Sequence, residues 1–228
     1  MAPNGALVLY YDITPDAIGD HDDWHTHEHF PERLSIPGFL RASRWVADSG
    51  GPRYLVLYEV SDVPVLSGAP YLERLNNPTP WTAKMMANFR GMARGFCGFV
   101  ANSGAGLGRA MLSIRYAPSP GRERELHAWL AAGVLPGISG RPGVVSARML
   151  EPAAKPPMTK EQGIRGKDAD IPCVLLLTGY SPDTLSRIAD AKLSAAQFAQ
   201  HGASTAMIRG RYSLDAVLTA DECTSARA

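Results

Sequence analysis

The 228 residues carry a formal net charge of +1, with 23 Lys and Arg scattered among 22 Asp and Glu, which leaves no electrostatic footprint for nucleic acid or an anionic membrane. A chain of this length buries roughly 70% of its unfolded surface and can build a real core in one or two domains. The N-terminal MAPNGALVLYYDI lacks a basic region followed by an apolar run and a small-residue cleavage site, and no segment approaches 18 uninterrupted apolar residues, so the expectation is a soluble, cytoplasmic protein. Cys97, Cys173 and Cys223 stand outside any C-x-x-C spacing and read as buried or inert thiols.

Residues 6–12 (ALVLYYD) read as a buried strand. Thr14-Pro15 supplies an N-cap hydroxyl and a proline at the first helical position, where its missing N–H costs nothing. The helix should run to about Phe30, since Pro31 would lose a backbone bond and clash with the preceding turn. Pro37-Gly38 marks a turn, and residues 39–47 and 54–60 read as hairpin strands joined through Asp48-Ser49-Gly50-Gly51-Pro52. Residues 71–75 suggest a helical turn, broken at Asn76-Asn77-Pro78. Thr79-Pro80 repeats the cap signature and opens a helix on which Trp81, Met85, Phe89 and Met92 form a core stripe. A fourth strand at 96–101 completes a β-α-β-β-α-β unit.

The same order is legible again downstream: strand 110–116, helix 120–134, strands 144–150 and 173–180, helix 182–201 and strand 206–214. At a single offset of 105 positions (24 + 105 = 129), Leu7, Tyr11, Pro15, Trp24, Pro31, Pro37, Gly38 and Ala42 meet identical residues at Leu112, Tyr116, Pro120, Trp129, Pro136, Pro142, Gly143 and Ala147. Average residue usage gives only about two or three identities over such a span, so the chain reads as a tandem duplication. Residues 1–103 form the first repeat, 104–109 a linker, 110–218 the second, and 219–228 a small polar tail expected to fray. Residues 151–171, rich in Pro, Lys and Gly, interrupt the second hairpin as an exposed loop or a lid. SGAGLG at 103–108 precedes a strand pattern, whereas a nucleotide loop must open a helix, so it reads as the link.

The repeats part company at WHTHEHF. His25, His27, Glu28 and His29 face Leu130, Ala132, Gly133 and Val134, so the fold does not require the ionisable cluster, while the tryptophan, the prolines and Pro-Gly recur as scaffold. At about 100° per residue, Trp24 and Glu28 lie within about 40° of each other, as do His25 and His29, whereas His27 points about 160° from His25. Trp24 should face the sheet, with Glu28 partly buried beside it and His29 at the boundary. A carboxylate one turn from an imidazole can orient it and tune it for proton transfer near neutral pH, which makes His29 the acid/base candidate and Glu28 its orienter. The structural alternative has His29 favouring the helix dipole, Glu28 pairing with Arg33 or Arg44, and His25 and His27 solvated. His25-x-x-Glu28-His29 also matches the zinc motif H-x-x-E-H. No third ligand follows at a helical site, so no metal is assigned; were one bound, His25 and His29 would hold it.

Two ferredoxin-like units in tandem, with W-x6-P-x5-PG on the first helix and turn, resemble the dimeric α/β-barrel superfamily, which includes EthD-like proteins, antibiotic-biosynthesis monooxygenases, muconolactone isomerases and some haem enzymes. Within it, Glu28-His29-Phe30-Pro31-Glu32-Arg33-Leu34, then Ile36-Pro37-Gly38-Phe39 and Arg44, is similar to EthD-like bacterial proteins reading roughly W-x-x-E-E-H-x-P-E-R-L-x-x-P-G-F. YLVLYE at 54–59 and Asn77-Pro78-Thr79-Pro80-Trp81-Thr82 fit them too; His25 and His27 depart from the pattern. The resemblance covers nearly all of the first repeat and only the architecture of the second. It implies an α+β fold, two tandem ferredoxin-like β-α-β-β-α-β repeats forming an intrachain dimeric α/β-barrel, with ligands between sheet and helices, one working pocket and one filled. A barrel closed within one chain does not prevent a further homodimer.

The expected function is a small-molecule enzyme of the lyase or isomerase kind, an isomerase, dehydratase, decarboxylase or cyclase acting by cofactor-independent acid–base chemistry on a hydrophobic aromatic or polyketide-like metabolite. His29 would be acid/base, Glu28 its orienter, Arg44 or Arg41 a carboxylate or enolate anchor, and Trp81 and Tyr71 pocket walls, with Trp24 and His25 also at the substrate. The alternatives are a cofactor-independent monooxygenase, a non-catalytic binding or accessory protein, and a zinc or haem protein, the last without a supporting pattern at His127 and His201. No cofactor, nucleic acid or membrane partner is expected.

Overall fold

The computed structural model describes residues 2–204 and 206–225. Runs of aromatic, branched and other apolar residues between turn residues give nine strands: β1 (Gly5–Ile13), β2 (Phe39–Ser49), β3 (Tyr54–Val60), β4 (Phe89–Gly104), β5 (Ala110–Tyr116), β6 (Val144–Pro152), β7 (Ala169–Asp170), β8 (Cys173–Gly179) and β9 (Ile208–Thr219). Eight pair antiparallel in the cyclic order β1-β3-β2-β9-β5-β8-β6-β4 and back to β1, a closed barrel without a long free edge. The short β7 adds parallel to β4. In each half the strands lie in the order second, third, first, fourth, and the halves join along β2–β9 and β4–β6.

Successive side chains on a strand point to opposite faces, which divides the core into three parts. Ala6, Val8 and Tyr10 of β1 join Trp45, Leu57 and Leu176 inside the barrel. Leu7, Tyr11 and Ile13 face outward, under the helices of the first half. Leu112, Ile114 and Tyr116 of β5 do the same in the second. The Pro-Gly turns at 37–38 and 142–143 both need glycine, at φ +94° and +87°. No helix among the described residues is long and apolar enough to cross a membrane, and Cys97, Cys173 and Cys223 form no disulfide among the described residues.

The first helix does not stop at Pro31. A 3-10 turn (Pro15–Ala17) leads into α1 (Ile18–Trp24), then a π-helical turn (His25–His29), then α2 (Phe30–Leu34). The π turn places Pro31 in the opening turn of α2, where its missing N–H breaks no regular helical bond. The second half repeats the device: α5 (Glu123–Ala128), a π turn (Trp129–Val134) and α6 (Leu135–Ser139), with Pro136 in its opening turn. The recurring prolines therefore follow a bulge rather than end a helix. Thr14 does not cap; its hydroxyl donates to Asn88 Oδ1 (2.8 Å).

After α3 (Ala69–Asn76), Thr79 does cap α4 (Pro80–Met86), its hydroxyl accepting from Thr82 N (3.0 Å). Because α4 ends at Met86, Phe89 and Met92 belong to β4 and not to a helical stripe. The expected linker starts later, since Ser103 and Gly104 complete β4. Residues 151–171 are not a bare loop; they carry α7 (Lys160–Arg165) and β7. The expected helix at 182–201 is two, α8 (Pro182–Lys192) and α9 (Ala195–Gln200), the second opened by a Ser194/Gln197 capping box. The tail forms α10 (Ala220–Ser225), where Glu222 accepts from Thr219 N and Oγ1.

Candidate active site

On the first helix, His21, His25, His29 and Arg33 recur every fourth residue, and all four are buried. Residues four apart advance by about 40° on a regular α-helix, but a turn closed i→i+5 holds more residues and draws the stripe back into line. The imidazoles form a ladder, with ring centroids 5.2 Å apart for His21–His25 and 5.6 Å for His25–His29. Trp24 packs against His29 at 4.3 Å and donates its Nε1–H to Thr82 Oγ1 (3.2 Å). Each rung meets a tyrosine from the sheet. The His21 Nδ1–H donates to Asp22 Oδ1 (2.9 Å), and since that carboxylate can only accept, His21 Nε2 accepts from Tyr11 (3.0 Å). His25 Nε2 hydrogen-bonds the Tyr58 hydroxyl (2.9 Å).

His29 Nδ1 lies 3.6 Å from Glu32 Oε2, which is also 3.6 Å from Arg33 Nη1; these three buried atoms have no hydrogen-bond partner among the described residues. Burial, with the positive charge of Arg33 nearby, holds His25 and His29 well below the ordinary imidazole value, so both are neutral at pH 7. Burial also lowers His21 against the pull of Asp22, raises Glu32 against the pull of Arg33, and lifts Tyr58 well above an ordinary phenol.

The ladder opens on a cavity of about 30 Å³ between β1, β3, β4 and the helices. Leu7, Val56, Leu75, Phe89 and Met92 give it apolar walls, and Tyr58 and Tyr71 aromatic ones. Three guanidinium groups reach it: Arg33, Arg94 and Arg165. Glu161 of α7 closes it, accepting from Arg33 Nη2 at 2.5 Å.

Of the residues expected at the site, Trp24, His25, His29 and Tyr71 line this cavity. The solvated reading of His25 is corrected, since it is 2% exposed, while His27 is exposed. Glu28 is not beside His29; it accepts from Thr79 Oγ1 (2.6 Å) and Thr82 Oγ1 (3.3 Å), so Glu32 holds the place proposed for it. Arg44 ties the outside of the helix to β9, donating to Asp22 O (3.0 Å) and Asp215 Oδ2 (2.6 Å). Arg41 pairs with Glu59, which Arg148 also holds, on the barrel side of the sheet. Trp81 donates to Asp20 Oδ1 (2.9 Å) outside the cavity. The buried anchor is Arg33 instead, one turn past His29, and the signal for it and for His21 was the four-residue period of 21, 25, 29 and 33.

Among the described residues no group of three or more His, Cys, Asp or Glu is placed to hold a metal ion. A haem does not fit the second half as it stands. His127 is held on Glu151 (2.5 Å) and His201 lies flat on Trp129 (4.5 Å), while Leu126, Leu130 and Val134 fill the space between helix and sheet.

No protein-family model matches the sequence, and no curated protein does. The fold is that of the dimeric α/β-barrel proteins. An anthrone oxidase-like protein is 10% identical, with TM-score 0.69 over 97% of this chain and 94% of its own. Two proteins carrying provisional monooxygenase names align as fully: one from Fusobacterium nucleatum (9% identity, TM-score 0.63, 96% of each chain) and one from Lactobacillus acidophilus (10%, 0.58, 96% and 97%).

Proposed function

We propose that the protein is a small-molecule enzyme that moves protons on a hydrophobic aromatic or polyketide-like metabolite without a metal or redox cofactor, as an isomerase, dehydratase, decarboxylase or cyclase. The chain is read as two copies of one ferredoxin-like unit, 1–103 and 110–218, of the EthD-like kind, with the working pocket in the first. The observation that carries this reading is the buried run His21, His25, His29 and Arg33, of which the last three line an aromatic cavity, where the positions 105 residues on are Leu126, Leu130, Val134 and Ile138.

His29 is the acid/base. It is neutral, its Nε2 makes no hydrogen bond among the described residues, and it can take a proton from an acidified carbon or hydroxyl of the substrate. The imidazolium so formed is stabilised by Glu32, close to Nδ1. Because the same burial makes that imidazolium a strong acid, the proton returns readily to a second atom of the substrate or to a leaving group. Arg33 and the Tyr58–His25 pair stabilise the developing enolate. Screening ring lactones, enols and β-keto acids should find turnover that His29→Ala lowers by about 10²–10⁴-fold while fold and much of the ligand affinity persist. Retained turnover would remove His29 from its role.

The names of the fold neighbours favour a second reading, a cofactor-independent monooxygenase, in which the electron-rich anion left by proton removal passes an electron to oxygen. Oxygen uptake equal to substrate loss would decide for it.

A further inference from the structure

Both halves bring charge to the cavity. Arg33 and Arg94, 2% and 4% exposed, both come from the first half. Beside Glu32, whose Oε2 is 3.6 Å from Arg33 Nη1, their hydrogen-bonded counter-charges come from the insertion in the second: Glu161 accepts from Arg33 Nη2, and Asp168 Oδ2 lies 2.9 Å from Arg94 Nε while Arg165 holds the same carboxylate. The first half alone thus presents two buried guanidinium groups, which stay charged in proteins. Leaving a buried charge unpaired costs several kcal/mol, so whatever replaces the insertion must carry negative charge.

The insertion is built to let go. A cavity of about 30 Å³ holds one or two waters, far less than a metabolite, so a ligand can enter only as a wall moves. One wall is α7, a six-residue helix. Lys160 N donates to Asn76 Oδ1 (3.1 Å), Arg165 Nη1 contacts Met86 Sδ (3.4 Å), and Ile164 and Met158 face solvent. Gly166, at φ +98° with no atom near its missing side chain, follows α7 as a free joint. Arg33 Nη1 is buried beside the cavity and makes no hydrogen bond among the described residues, Glu32 Oε2 standing 3.6 Å away, so the guanidinium keeps a second N–H for a bidentate oxyanion that Glu161 does not use.

We propose that the pocket takes an aromatic metabolite bearing a carboxylate, and that α7 is a lid whose Glu161 holds that carboxylate's place on Arg33 in the empty protein. This rests on the reading of the cavity as the substrate site, not on the chemistry assigned to His29. Glu161 competes with ligand, and the apparent affinity is lowered by the fraction of molecules in which the lid is closed.

The test is calorimetric titration of the full chain and of Glu161→Gln with 2-naphthoate and with its neutral isostere 2-naphthamide. Gln keeps the shape of Glu161 and removes its charge. The variant should bind both ligands about tenfold more tightly than the wild type, because both need the lid displaced, and in each protein 2-naphthoate should bind at least about tenfold more tightly than 2-naphthamide, which brings no charge to Arg33. Hydrogen exchange on the wild type gives a reading free of any variant: 2-naphthoate should speed exchange of the 160–165 amides about tenfold as the lid is displaced. Equal naphthoate affinity in the two proteins, no preference for naphthoate over the amide, no binding of naphthoate, or unchanged exchange at 160–165 would each overturn the proposal. Loss of the acid–base reading would appear as turnover indifferent to His29→Ala and would leave these titrations untouched.

Discussion

The two halves of the barrel solve the same packing problem with opposite chemistry. Each lays a helix with a π turn and a proline after it across a sheet of identical strand order, and each buries four side chains at four-residue spacing on the sheet side. In the second half these are Leu126, Leu130, Val134 and Ile138. In the first they are His21, His25, His29 and Arg33, above a cavity. The sheet beneath has changed to match. Tyr54 and Tyr58 sit opposite Tyr11 and Leu7 on β1, whereas Cys173 and Leu177 sit opposite Tyr116 and Leu112 on β5. Hydrocarbon fills such a space without loss, and imidazoles leave His25 Nδ1 and His29 Nδ1 unpartnered. A buried polar atom without a partner costs about 1–3 kcal/mol, so the first half carries a stability burden that packing does not explain and a reaction would.

The comparison breaks most sharply by exchange. Leu130→His puts an imidazole over Leu177, with no hydroxyl where Tyr58 serves His25, and takes a fully buried leucine out of the second core. It should cost about 2–4 kcal/mol in urea unfolding, through the lost apolar contacts and an unsatisfied ring. The reverse change made together with its partner, His25→Leu with Tyr58→Phe, should be neutral or stabilising, whereas His25→Leu alone strands the Tyr58 hydroxyl and should cost about 1–3 kcal/mol. A Leu130→His cost below about 1 kcal/mol would mean that either half can hold imidazoles and that the first is not specialised.

Next in size is the response to pH. Burial sets the folded values of His21, His25 and His29 below the unfolded value near 6.5, so the unfolded chain binds more protons as the pH falls. Their contribution is therefore fully present above about pH 6.5 and is lost below it, by up to about 1.4 kcal/mol per pH unit for each ring. Urea midpoints of the wild type should fall between pH 6.5 and 5, and His25→Leu should flatten that slope by one ring's share. Parallel slopes for the two proteins would show that His25 does not titrate on unfolding.

Much of this was legible in the residues. The 105-residue offset placed Trp24, Pro31 and Pro37-Gly38 on Trp129, Pro136 and Pro142-Gly143, and the strand pattern gave the α+β class. What misled was angular: a helix counted at 100° per residue sends His21, His25, His29 and Arg33 gradually around the cylinder, and only the π turn realigns them. The same count puts Glu28 beside Trp24, where it reads as the orienter of His29. Arg41 and Arg44 looked like anchors because nothing local reveals that Glu59, Asp22 and Asp215 engage them from distant strands and the helix. The closing of the first pocket by Glu161 is a contact between residues 128 positions apart, which no periodicity records.

The smallest effect separates the two carboxylates that flank His29. Glu28 and Glu32 stand where the other half has Gly133 and Gly137 at the 105-residue offset, and their surroundings differ. Glu28 accepts from two threonine hydroxyls at the start of α4, a tie that a glutamine oxygen can also accept. Glu28→Gln should therefore cost no more than about 1 kcal/mol and leave turnover within about threefold. Glu32 has its Oε2 buried and unpartnered, 3.6 Å from His29 Nδ1, where only a charge stabilises the imidazolium; Glu32→Gln should lower turnover at least about tenfold with unchanged ligand affinity. If the two variants exchange places, losing activity at 28 and keeping it at 32, the helix presents Glu28 to His29 during reaction, and the lost tie to Thr79 and Thr82 becomes the conformational step that exposes it.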